Sequence, residues 1–156
     1  MSIAVAAAHA TPPGRSVAHV TRGTMRLLAR ADRPAMTEMT LASGRRADIL
    51  SIGADNSIWI VETKSCLDDF RIDRKWPLYR AYCDRLYFAV DERFPQDVLP
   101  EDAGLIVADG YGAAILREAP EHRLAAPRRR ALTLQFARLA ARRMMVLADP
   151  ELPTGF

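Results

Sequence analysis

An α/β fold, a mixed β-sheet flanked by helices with an added C-terminal hairpin and helix, is predicted for this chain of 156 residues. Three observations predict it. One helix-periodic stretch is followed by three short strand-like runs separated by turn residues, an order that builds an antiparallel meander behind a helix. A helix signal then stands between two buried apolar runs, which makes a crossover and therefore a parallel strand pair. Finally, the length is typical of one domain, and a 49% hydrophobic content suffices to fill its core.

The elements follow in order. Residues 1–15 are Ala-rich, end in Thr11-Pro12-Pro13-Gly14-Arg15 and lack the basic start of a secretory signal, so they read as a disordered tail before a single domain over 16–150. Ser16 is placed to cap a helix whose apolar stripe is Val17, Val20, Thr24, Leu27 and Leu28, with Pro34 beyond its end. Met36 to Leu41, Ala47 to Ile52 and Ile58 to Lys64 read as strands. Ala42 to Arg45 and Gly53 to Ser57 are the turns between them. Leu67 to Asp73 reads as a helical turn, and Pro77 suits the first position of the next helix. Arg85 to Val90 is a buried strand. Gly104 to Asp109 and Ala113 to Arg117 form a hairpin around Gly110-Tyr111-Gly112, and a helix over 127–147 closes the chain.

The strand register brings acids together. A turn centred on Asp55 sets Asp48 opposite Glu62, Leu50 opposite Ile60 and Ile52 opposite Ile58, with partner Cβ atoms about 5 Å apart. A turn centred on Ser43 sets Glu38 opposite Asp48. Alternation then puts Asp48, Glu62 and Lys64 on one face, with the Thr63 carbonyl near the acids. Lys64 stands out by composition, since the chain has two lysines against twenty arginines, and a compact ammonium differs from a planar guanidinium in what it can position.

Two or three carboxylates with room for water suit Mg²⁺ or Mn²⁺. Such an ion polarises a phosphodiester and lowers the pKa of a bound water. The expected roles are Asp48, Glu62 and the Thr63 carbonyl as metal ligands, Lys64 as the group that orients water, and Glu38 as an accessory acid. The competing reading of Glu62-Thr63-Lys64 is an ordinary ion pair on a strand, worth little. Ile49, Leu50, Ile52, Ile58, Trp59, Ile60 and Val61 argue against it, because they make both faces of the hairpin apolar and leave the acids ending buried strands. Zinc is not expected: Cys66 and Cys83 lie far apart, and His9, His19 and His122 are scattered.

The pattern of Asp48 followed by Glu62-Thr63-Lys64 resembles the signature of the PD-(D/E)XK nuclease superfamily, with Ala47 where that superfamily often has Pro. A more specific likeness rests on Thr37 to Leu41, Arg45 to Leu50, Val61 to Ser65, Asp69 to Pro77 and Tyr82 to Val90. These blocks resemble the bacterial MmcB-like DNA repair proteins, over roughly residues 17 to 145. The resemblance implies a restriction-endonuclease-like core and a role in the DNA damage response, with DNA and a repair-protein partner as binding partners and a cytoplasmic, nucleoid-associated location.

Arg46 and a cluster of Arg71, Arg74, Lys75, Trp76 and Tyr79 are candidate DNA contacts, the cations for phosphate and the aromatics for base stacking. The opposing reading makes the aromatics core and the charges a solvated face. The same two readings apply to Arg128, Arg129, Arg130, Arg138, Arg142 and Arg143 of the last helix, in a chain of net charge +3 and pI near 9.2. No apolar run approaches the roughly 20 residues of a membrane span. The two readings of function are thus a divalent-metal-dependent DNA nuclease and a non-catalytic DNA-binding or recruitment module, with a dimer compatible with either.

Overall fold

A computed structural model describes residues 16–72 and 75–153. Its sheet has six strands: β1 (Ala35–Thr40), β2 (Arg46–Ile52), β3 (Ile58–Lys64), β4 (Arg85–Val90), β5 (Gly104–Ala108) and β6 (Ala113–Arg117). They lie side by side in chain order. β1–β2 and β2–β3 are antiparallel hairpins, β3–β4 and β4–β5 are parallel, and β5–β6 closes the sheet as a third hairpin. Helix α1 (Val17–Arg30) precedes the meander. A short helix α2 (Leu67–Ile72) and a 3₁₀ segment, Trp76–Tyr82, make the β3–β4 crossover. Helix α3 (Ala126–Ala148) ends the fold.

The turns form where the chain supplies the residues for them. Gly44 takes φ 82° between β1 and β2, and Asn56 takes φ 62° between β2 and β3. There the Asp55 carboxylate accepts the Ser57 N–H at 3.0 Å and its hydroxyl at 2.7 Å. The registers are the expected ones: Leu50 faces Ile60, Ile52 faces Ile58, and Thr37 faces Ile49. At α1, Ser16 stands at the N-cap with an extended backbone, but its Oγ lies 3.1 Å from His19 Nδ1 and bonds no main-chain N–H.

Each face of the sheet is buried by different elements. α1 lays Val20 and Leu28 over Ile49, Val61, Tyr87, Ala89 and Ile106. Gly23 allows this approach, since a Cβ there would stand 2.2 Å from the Asp109 carbonyl oxygen. On the opposite face, Leu50, Ile58, Ile60 and Leu86 pack with Tyr79 and Cys83, and with Leu132 of α3. Each such buried aliphatic contributes on the order of 1.5–3 kcal/mol, so the middle of β2, β3 and β4 is the packed centre of the sheet. The candidate acids are placed at its end.

Candidate functional site

At the C-terminal end of β3 the β2–β3 ladder stops at Ile49 opposite Val61, although both strands continue. The main-chain bonds that would follow are replaced by side chains. Glu62 Oε1 accepts the N–H of Asp48 at 3.2 Å. Asp48 Oδ2 accepts the N–H of Thr63 at 2.8 Å and its hydroxyl at 3.1 Å. Each acid thus reaches across the fork to the other strand, and buried N–H groups that would otherwise lack partners are satisfied by charged acceptors.

The faces differ from the simple alternation. Glu38, opposite Asp48, takes φ 56°, and it interrupts β1 so that Met36 and Met39, three residues apart, are both buried. Across from it, Leu50 and Ala47 join the same cluster although they too are three apart. Asp48 therefore opens with Thr63 and Glu38 into a recess of about 320 Å³, walled by Val17, Thr21 and Arg22 of α1. Glu62 and Lys64, 3% and 8% exposed, lie behind it and do not line it. Glu38 is exposed, with Arg46 3.6 Å away. Among the described residues no group of three His, Cys, Asp or Glu stands ready to hold a metal ion. The fork holds two carboxylates, a number that suits Mg²⁺ when water and substrate phosphate complete its shell, and of the two only Asp48 opens to the recess.

The basic and aromatic candidates separate. Tyr79 is buried, and its hydroxyl donates to the Arg46 carbonyl at 3.0 Å, so it is a core residue that cannot stack on a base. Trp76 is half-buried, edge-on to Phe88 with ring centres 5.5 Å apart, and carries the Arg80 guanidinium over its ring. The buried part of its surface is spent inside the protein. Arg46, Arg71 and Lys75 are exposed. Arg74 lies outside the described residues.

The profile of the family described as DNA repair protein MmcB-like matches residues 7–151. The chain belongs to this family. Among solved structures, a protein of unknown function from Silicibacter pomeroyi matches the MmcB-like chain at 42% identity with a TM-score of 0.84, over 88% of this chain and 94% of that one. A search of curated proteins finds no match. Among the described residues no helix is long and apolar enough to cross a membrane.

One buried acid of this MmcB-like fold was not expected. Asp84, 2% exposed, precedes β4 and lies at the opposite end of β3 from the fork. Its carboxylate accepts the N–H groups of Ile58 (2.7 Å) and Leu124 (2.8 Å) and both terminal nitrogens of Arg129 (2.6 and 2.7 Å). Burial alone would raise the Asp84 carboxyl, but the Arg129 guanidinium and the two N–H groups overcome it and hold it at about 2. Sequence offers only a weak signal for this pairing: a lone acid heading a buried strand, and a run of three arginines beginning 44 positions later at Arg128.

Proposed function

We propose that this MmcB-like protein hydrolyses DNA phosphodiester bonds with a divalent metal ion, in the manner of the PD-(D/E)XK nucleases. The observation that carries this reading is the fork at which Glu62 accepts the Asp48 N–H and Asp48 accepts the Thr63 N–H across β2 and β3. It keeps two carboxylates together at the end of strands that are otherwise apolar, at a desolvation cost that a purely structural turn would not need. Asp48 and Glu62, with the Thr63 carbonyl, would hold Mg²⁺ or Mn²⁺, which supplies polarisation of the phosphate and a more acidic water. In this reading Asp48, the acid open to the recess, meets the substrate side, Glu62 adds the second carboxylate from β3, and Lys64 orients water and offsets phosphate charge.

A second reading, a non-catalytic DNA-binding or recruitment module, is favoured by one observation. Glu62 and Lys64 are buried away from the recess that Asp48 lines.

The test is cleavage of labelled single-stranded, duplex, flap and four-way-junction DNA with Mg²⁺ or Mn²⁺, comparing wild type with Glu62→Gln and Lys64→Ala and checking the fold of each by circular dichroism. Cleavage by folded wild type that disappears in folded Glu62→Gln and in chelator is the expected result. Activity that persists in Glu62→Gln would overturn the assignment, and binding without cleavage across the panel would select the second reading.

A further inference from the structure

We infer that the groove between α3 and β1 is the track along which a DNA strand lies on its way to Asp48. This rests on the DNA reading above and adds to it a binding surface that does not include Arg71 and Lys75. The groove, about 410 Å³, is lined by Glu38 and Thr40 of β1 and by Leu134, Arg138, Leu139 and Arg142 of α3. Its walls are fixed: Gln135 Nε2 donates to the Thr40 carbonyl at 2.5 Å, and Arg143 donates to the carbonyls of Thr37 (2.7 Å) and Glu38 (3.4 Å).

Three features give the groove its occupant. The first is charge. Arg138 and Arg142 are four residues apart and so share one helix face. Both are exposed, and among the described residues neither is tied to an acid or a carbonyl, whereas Arg128, Arg129 and Arg143 on the same helix are. Four residues of helix rise about 6 Å, against about 3.4 Å of duplex axis per phosphate of one strand, so the two guanidinia meet phosphates about two nucleotides apart.

The second is the floor. Leu134, 60% exposed, and Leu139 offer apolar surface to sugars and base faces. The third is continuity, because Glu38 lines both this groove and the recess that holds Asp48 and Thr63. Arg46 beside Glu38 offsets that acid. An acidic peptide would find the same arginines but gains nothing from a path that leads to Asp48.

The experiment is fluorescence anisotropy of labelled single-stranded and duplex DNA with the full chain in EDTA, so that binding is read without cleavage. Wild type is compared with Arg138→Ala/Arg142→Ala, with the charge-retaining Arg138→Lys/Arg142→Lys, and with Arg71→Ala/Lys75→Ala. At about 0.15 M salt, counterion release contributes about 5-fold per phosphate contact, so the alanine pair weakens binding about 30-fold and lowers the slope of log affinity against log salt by about 1.5–2. The lysine pair restores most of the affinity.

Wild-type binding that the alanine pair leaves intact overturns the groove assignment while the DNA reading stands. Failure of wild type to bind any DNA overturns both. An arginine-dependent preference for a polyglutamate peptide over DNA overturns the choice of occupant.

Discussion

At the start of β3 the Asp84 carboxylate is filled by four donors, two of them from one guanidinium, and none of its capacity is left over. At the other end of the same strand, among the described residues, Asp48 accepts from Thr63 alone and opens into a recess. The first acid pins three separate segments: the β2–β3 turn side at Ile58, the loop at Leu124 and the first turns of α3. The second holds a fork open. A buried acid matched by an arginine and main-chain donors stabilises, whereas one supported by a single N–H group and a hydroxyl keeps lone pairs open to the recess.

Four measurements sharpen or break that contrast. The largest effect is expected for Arg129→Ala, which leaves Asp84 buried without its counter-charge and lowers unfolding free energy by about 3–5 kcal/mol in chemical denaturation. A loss below about 1 kcal/mol would show that the two ends do not differ as described.

Acid is next. The Asp84 carboxyl is held at about 2, below its ordinary value of 3.8, so its contribution is complete above the unfolded value and is lost as pH falls from about 4 to about 2. About 2 kcal/mol disappears in that window, and Asp84→Asn removes this part of the pH dependence.

Third, Glu62→Gln keeps an oxygen to accept the Asp48 N–H, and thermal unfolding is expected to register about 1 kcal/mol or less, although cleavage in the proposed function is lost. The smallest change belongs to Arg46→Ala, whose exposed pair with Glu38 is worth less than about 0.5 kcal/mol of stability.

Much of this was legible before any coordinates. Turn residues at Gly44 and Asp55-Asn56 set both hairpin registers, so Thr37 opposite Ile49 and Leu50 opposite Ile60 follow from turn length alone, whereas the single face expected for Asp48, Glu62 and Lys64 does not form. The direction in which Asp48 points was not legible, because it depends on Glu38 adopting φ 56°, and nothing about a glutamate announces a left-handed backbone. Trp76 and Tyr79 look alike as surface or core residues when only their helix is known. Which side of the 3₁₀ segment meets Phe88 and the Arg46 carbonyl is decided by packing. Asp84 and Arg129 are 45 positions apart, and no local rule pairs them.

The bonds from Gln135 and Arg143 to the β1 carbonyls have one more consequence. β1 is an outermost strand of the sheet, and an uncovered outer strand is a template on which another chain can add by main-chain pairing. Here the acceptors at Thr37, Glu38 and Thr40 are already occupied by side chains of the protein's own last helix. Helix α3 thus acts as a guard rail: a molecule that lost it would present a ready surface for fibril-like stacking at β1, so solubility as well as shape depends on the final quarter of the chain.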